Sequence, residues 1–312
     1  MIMRKFISYA FVAGLMFMFS AVSAQDYAFR VLANKGTNQV KKAGSGSPES
    51  LKTGAKLNSG DEIIASEGAY IGLMHKSGKT TEIRGAGTKK VADLEKTINT
   101  GSTSIASRYA AYVSSKMNEQ ENGSYRSRSN ATGAVSRGST YAIDLMMSKD
   151  IDLLGDVAIL RWGISEDDTT FQDGDLFVVS IYNIFDEEIF SQETEKTSMK
   201  LDFADEDLQY DMGLYIVEIT KKGDEEFKSK KVGIRKVNNE ERVEVRENLA
   251  NLKSEVSEDS PLNKIIYASF YEENGLLLDA LTKYEEAVRQ SPDVEDFQEL
   301  YNAFLIKNGF AQ

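Results

Sequence analysis

The sequence predicts a multidomain, mainly β protein that ends in helices. Three features carry this expectation. Short apolar segments between Leu51 and Gly87 are punctuated by Gly54, Asn58-Ser59-Gly60, Gly68 and Ser77-Gly78, the spacing of a small all-β unit. Residues 140 to 237 hold about seven further short strand candidates, which is what a β-sandwich requires. From Asn239 onward the apolar residues recur at helical spacing instead.

The chain of 312 residues is long enough for two or three compact domains. Residues 1 to 24 read as a secretory signal peptide: Arg4 and Lys5, an apolar run from Phe6 to Phe19, then Val22-Ser23-Ala24 before Gln25. The competing reading is an uncleaved anchor, which the shortness of the run disfavours. Export implies a periplasmic or secreted protein. The absence of cysteine excludes disulfides, thiol catalysis and cysteine-based metal sites. With one histidine, His75, no His-based triad or multi-histidine metal site is expected, and an alternating strand predicts a surface position for it.

Residues 25 to 97 are assigned to the first β domain. A strand begins in Phe29 to Val40, and the Gly, Ser and Pro loop Lys41 to Ser50 leads into the main body. Alternation puts Ile71 and Leu73 on one strand face and Tyr70, Gly72 and Met74 on the other, and Ser77-Gly78 reverses the chain into Thr80 to Arg84 as a hairpin. Leu51, Gly54, Leu57, Gly60, Asp61, Ile63, then Gly68, Ala69, Leu73, then Gly78 and Ile83 form a pattern that resembles the FecR-like domain of bacterial envelope proteins. The resemblance covers about a quarter of the chain and implies a fold rather than an activity. In the regulators that name that family, the domain lies in the periplasm behind a membrane helix and a cytoplasmic part that contacts a sigma factor. Here five residues precede the apolar segment, so a sigma-regulator role is not expected. Lys76, Lys79 and Arg84, between the apolar positions, are the candidate contact residues.

Residues 98 to 139 are poor in large apolar residues and read as a flexible linker. Within it Ile105, Tyr109, Tyr112, Val113 and Met117 predict a short helix from Ser102 to Glu119. Arg126, Arg128 and Arg137 follow among small residues, as in a solvated tether. Between 140 and 237 the strands are expected at 140 to 147, 158 to 163, 175 to 182, 187 to 190, 198 to 203, 213 to 220 and 226 to 236. Trp162 and the Tyr215 of Gly213-Leu214-Tyr215-Ile216-Val217 resemble the strand-C tryptophan and strand-F tyrosine of immunoglobulin-like and fibronectin type III domains, with Val217 where an antibody domain has cysteine. Both aromatics are expected in the core.

Residues 238 to 312 are helical. Val245, Leu249, Leu252 and Val256 give one apolar face, and Ser260-Pro261 opens the next helix. A repeat then appears at a spacing of 34: Tyr267 and Tyr301, Phe270 and Phe304, Asn274-Gly275 and Asn308-Gly309. With Ala268, Tyr271, Ala280, Tyr284, Ala287 and Pro292, this segment resembles tetratricopeptide repeats. One and a half repeats cannot bury a continuous core, so the segment is expected to dock on the preceding helix and the sandwich or on another protein.

No cofactor site is expected. Gly85-Ala86-Gly87-Thr88-Lys89-Lys90 lacks the spacing of a phosphate-binding loop and reads as a turn. Asp167-Asp168 and Asp173-Gly174-Asp175 bring carboxylates together, but without a complete calcium loop they read as turns between strands. Glu193, Glu195, Asp202, Asp205, Glu206 and Asp207 form an acidic tract suited to solvation. Residues 25 to 142 carry 17 Lys and Arg against 10 Asp and Glu, whereas 143 to 312 carry 18 against 39. The basic part suits an anionic envelope polymer or the acidic half of another copy, and the acidic balance disfavours nucleic acid. The expected function is a non-catalytic envelope scaffold or ligand sensor, with a protein partner at the helical end. Its rivals are a glycan-processing enzyme using paired carboxylates and a FecR-type signalling regulator.

Overall fold

The computed structural model describes residues 27–98, 105–121, 141–147, 150–164, 171–172, 174–208, 212–308 and 310. The expected signal peptide, Arg126, Arg128, Arg137, Asp167, Asp168 and Asp173 lie outside the described residues. The chain is multidomain and mainly β, with a helical C-terminal part.

The front unit comprises β1 (Phe29–Lys35), β2 (Gln39–Lys41), β3 (Glu49–Ser50), β4 (Lys56–Leu57), β5 (Glu62–Ala65), β6 (Tyr70–His75), β7 (Thr80–Arg84), β8 (Gly87–Lys90) and the short helix α1 (Val91–Thr97). Two four-stranded sheets, ordered β4-β1-β6-β7 and β3-β2-β5-β8, enclose one core that includes Phe29, Val31, Leu57, Ile63, Leu73 and Ile83. The segment expected to lead into the unit is thus one of its inner strands, β1. Asp61, 1% exposed, pins the Asn58 turn by accepting the backbone N–H groups of Asn58 at 2.9 Å and Ala43 at 3.0 Å. Burial pushes its carboxyl up, but these bonds and the nearby Lys42 outweigh that and hold it below the ordinary carboxylate value.

The expected hairpin forms, with Tyr70 opposite Arg84 and Met74 opposite Thr80. Every residue of β6 is buried. Ile71 and Leu73 face the front core, while Tyr70 and Met74 belong to the larger core of the molecule. His75, on the same face as Ile71 and Leu73, packs against Phe29 of the front core and is 2% exposed, which corrects the surface position expected for it. Its Nδ1 accepts the backbone N–H of Ser77 at 3.1 Å, and its ring lies edge-on to Phe29 at 5.2 Å.

Helix α2 (Ile105–Glu121) falls within the stretch read as a linker. Its buried Ala106, Tyr109, Ala110 and Val113 occupy one face at helical spacing. The helix sits against the front unit through the Gly78 turn and through Arg30, whose Nη1 donates to Ser114 Oγ at 2.7 Å. Its other contacts reach the C-terminal helices. Tyr109 lies edge-on to Phe270 at 5.1 Å.

The sandwich is built from β9 (Ile143–Leu145), β10 (Asp150–Leu153), β11 (Val157–Ile164), β12 (Phe177–Tyr182), β13 (Glu188–Thr194), β14 (Ser198–Asp202), β15 (Leu214–Lys221), β16 (Asp224–Lys228) and β17 (Val232–Lys236). One sheet is ordered β14-β11-β9 and the other β10-β17-β15-β12-β13, with β16 on β15. This is an immunoglobulin-like arrangement of two facing sheets. The segment expected as one strand over 226 to 236 is two, and β10, a four-residue strand, was not anticipated. Trp162 is 1% exposed, as a core residue should be, but it lies on β11 in the three-stranded sheet, one strand earlier than the strand-C position the resemblance implies. It meets Phe177 of the opposite sheet edge-on at 5.5 Å.

Four helices follow: α3 (Val243–Glu255), α4 (Pro261–Glu273), α5 (Leu277–Gln290) and α6 (Glu295–Asn308). Ser260 caps α4 by accepting the Asn263 N–H at 3.1 Å, with Pro261 in the first helical position. Tyr267, Phe270, Tyr301 and Phe304, the residues repeated at a spacing of 34, are all buried.

The contact between the hairpin turn and α2 is tight enough to test. A Cβ on Gly78 would come within 2.3 Å of Ser107 Cα, and Gly78 has φ +87°. Gly85 has φ +75° but nothing within 4 Å of its Cβ position. Thermal unfolding should therefore show Gly78→Ala losing roughly 2–4 kcal/mol, from strain plus overpacking, and Gly85→Ala about 1 kcal/mol from strain alone.

Candidate functional site

The three candidate contact residues are not brought together. Lys76 is exposed and Lys79 half-buried, on either side of the Ser77-Gly78 turn, while the exposed Arg84 lies at the far end of β7. At about 3.3 Å per residue that separation is roughly 15 Å. Arg84 is already engaged: its Nη2 donates to Glu82 at 2.8 Å and its guanidinium lies 5.0 Å from the centre of the Tyr70 ring. Of the acidic candidates, Asp175 pairs with Lys221 at 2.5 Å and accepts the Gln172 N–H at 2.8 Å, and Glu193 pairs with Lys222 at 2.7 Å. No cluster of three or more His, Asp or Glu side chains suited to a metal occurs among the described residues.

Two surface features at one end of the sandwich stand out. An open cavity of about 540 Å³ is lined by Phe203, Met212, Leu214, Tyr215, Arg235 and Lys236, among others. Arg235 gives it no free cation, because Nε and Nη2 donate to Asp152 at 2.9 and 2.8 Å and Nη1 donates to Glu241 at 2.5 Å. The second feature is the β12–β13 turn, where Phe185 is 69% and Ile184 39% exposed. The buried Asn183 accepts the N–H groups of Phe185 at 2.9 Å and Glu187 at 3.1 Å, and Asp186 adopts φ +62°. This turn is held in shape, with its aromatic residue in solvent.

The densest polar chemistry lies between the units, on the first turns of α5 and α6. Asp279, 4% exposed, accepts the backbone N–H of Leu154 at 2.9 Å and of Gly155 at 2.7 Å, joining α5 to the sandwich. Thr282 accepts the N–H of Ile159 at 3.0 Å, one turn on. Arg161 Nη1 donates to Glu285 at 2.6 Å, and the Tyr301 hydroxyl joins the same pair. Asp296 does for the front unit what Asp279 does for the sandwich, accepting the Asn34 N–H at 2.8 Å and the Thr53 hydroxyl at 3.2 Å. None of these carboxylates was singled out from sequence. Each sits more than 120 residues from its partner, so no local pattern could have revealed it.

Burial pushes the carboxyl groups of Asp279 and Asp296 up to about 6, against the opposing effect of the N–H groups they accept. In the unfolded chain each would return to about 3.8. The folded state therefore holds more protons between these values, and stability falls as pH rises from about 4 to 6, then levels off. Urea unfolding at pH 5 and pH 7 should show greater stability at pH 5, by on the order of 1–3 kcal/mol for the pair. The double change Asp279→Asn with Asp296→Asn should flatten that slope. At pH 7, Asp279→Ala should cost about 2–3 kcal/mol, because two backbone donors are left buried without an acceptor.

Set against known proteins, no family model matches the chain, and no curated protein matches it. Among solved structures, it is similar to the fibronectin(III)-like modules of CbhA from Clostridium thermocellum, at 9% identity over 70% of this chain and 80% of that chain. The TM-score is 0.19, too low an overlap to carry an argument about function.

Proposed function

We propose that this chain is an exported, non-catalytic scaffold or ligand-sensing protein of the bacterial cell envelope, combining a FecR-like front domain, an immunoglobulin-like sandwich and a tetratricopeptide-like helical end. The observation that carries this reading is the pair of bridges at Asp279, which is buried, and Asp296, which is half-buried. They tie the sandwich and the front unit to one helical segment, so surfaces on different units are held at fixed distances. A scaffold needs that property.

The helical end offers a protein partner only part of its surface. In α4 every residue from Lys264 to Glu272 is buried, and α5 rests on the sandwich through Asp279 and Thr282. The outer side of α6 is one surface a partner can reach, with Asn302 and Lys307 exposed and Ile306 44% exposed. An anionic envelope polymer would meet the front unit, where Lys52, Lys56, Lys76, Lys89 and Lys90 are exposed.

In-cell photo-crosslinking from position 306, followed by affinity capture and mass spectrometry, tests the protein partner. One envelope protein should be captured reproducibly, and capture should be lost in Ile306→Asp with stability changed by less than about 0.5 kcal/mol. The reading is overturned if the purified protein turns over envelope glycans or peptides and a single carboxylate substitution abolishes that turnover.

A further inference from the structure

Among the edge strands of the described sheets, β8 and β13 carry opposite charge. Among the described residues β8 hydrogen-bonds only to β5, and all four of its residues are exposed, including Lys89 and Lys90. At the edge of the sandwich β13 pairs only with β12 among the described residues, and it presents exposed Glu188 and Glu193, the latter already paired with Lys222. An open edge is a row of unpaired backbone donors and acceptors, ready to take another strand. Charge decides which strand. Two β8 edges would set lysines against lysines, and two β13 edges would set glutamates against glutamates, both unfavourable. β8 against β13, the longest of the edge strands, places opposite charges side by side.

The wider charge distribution agrees. Residues 27 to 98 carry 12 Lys and Arg against 7 Asp and Glu, whereas residues 143 to 312 carry 18 against 39. The exposed Ile184 and Phe185 adjoin the start of β13 and would lie at the rim of such a contact, adding apolar area next to the ladder. Within one chain β8 and β13 belong to different units and do not pair with each other.

We infer that the basic edge β8 of one copy adds to the acidic edge β13 of a second copy, joining chains head to tail. The inference rests on the scaffold reading and names its partner as another copy of this chain. Such a contact is heterologous, so every added copy leaves one β8 and one β13 open, and assembly continues unless the rotation closes a ring. Four residues of ladder make a small interface, so association is weak and depends on concentration. Because the charges are exposed, it also weakens with salt.

Sedimentation equilibrium of the purified protein tests this. At low ionic strength the average mass should rise with concentration above that of one chain, and moving to about 0.5 M salt should weaken association tenfold or more. Lys89→Glu with Lys90→Glu should remain single chains, as should Glu188→Lys with Glu193→Lys. Mixing these two charge-reversed variants should restore association, since each then offers an edge of the sign the other needs. Circular dichroism and thermal unfolding of each variant establish that it is folded. The inference is overturned if the wild-type protein stays a single chain at every concentration and salt, or if the charge-reversed variants associate as the wild type does. Capture of a different envelope protein by a chain that never self-associates would sink this inference and leave the scaffold reading intact. Turnover of an envelope substrate would instead sink the scaffold reading.

Discussion

The arrangement of the whole molecule depends on one helix having no free face. In α4, Lys264 through Glu272 are all buried, where an ordinary surface helix buries only one stripe. Its sequence, PLNKIIYASFYEE, supplies apolar or aromatic groups around most of the circumference. Leu262 takes the space above Gly72 of β6, where a Cβ would come within 3.1 Å of Leu262 Cδ2. Phe270 meets Tyr109 of α2, and α5 covers a further side. The front unit, the intervening helix and the helical hairpin therefore share one core. Removing any one of them would expose part of α4 to water, so each is a condition for the others.

Polar groups in this core are placed so that desolvation is offset. The Tyr267 hydroxyl donates to the Val256 carbonyl at 2.6 Å, and Lys264 Nζ donates to Glu286 at 2.7 Å. Glu272 accepts Lys307 Nζ at 2.6 Å and the Tyr284 hydroxyl at 3.1 Å. Pairs of this kind add little net stability compared with apolar packing, but leaving one partner unmatched is expensive. Their effect is selective: a slipped docking of α5 or α6 would bury the same apolar area while stranding Asp279 or Asp296. The raised carboxyl values of those two residues measure the same balance, since burial outweighs the bonds they accept.

Local patterns were legible in the sequence and distant ones were not. The hairpin at Ser77-Gly78, the Ser260-Pro261 helix start and the 34-residue spacing of buried aromatics each depend on neighbours within a turn or a repeat. The misread positions depend on what packs from elsewhere. Alternation in β6 predicts one covered face, but α4 and α6 cover the second, so Tyr70 and Met74 are buried as well, while His75, on the face of Ile71 and Leu73, is buried against Phe29 of the front core. The helix expected from Ser102 to Glu119 forms as α2, but its composition still reads as linker because two of its four buried apolar residues are alanine, a small contribution until Phe270 and the Gly78 turn close around it. Trp162 kept its core role but changed strand, because burial follows from residue type whereas strand order follows from the path of the whole sheet.

Rigid docking also changes what the charge asymmetry means. If the basic and acidic parts were joined by a free tether, opposite charges on one chain could fold back and neutralise each other. Here Asp296 fixes the front unit to α6 and Asp279 fixes the sandwich to α5, so the two surfaces keep their places. Internal neutralisation by collapse is blocked, and exposed charges such as Lys89, Lys90 and Glu188 stay available at fixed positions. The carboxylates that carry the architecture thus also preserve the polarity of its surface. Any partner selected by charge meets a pattern set by contacts it never touches.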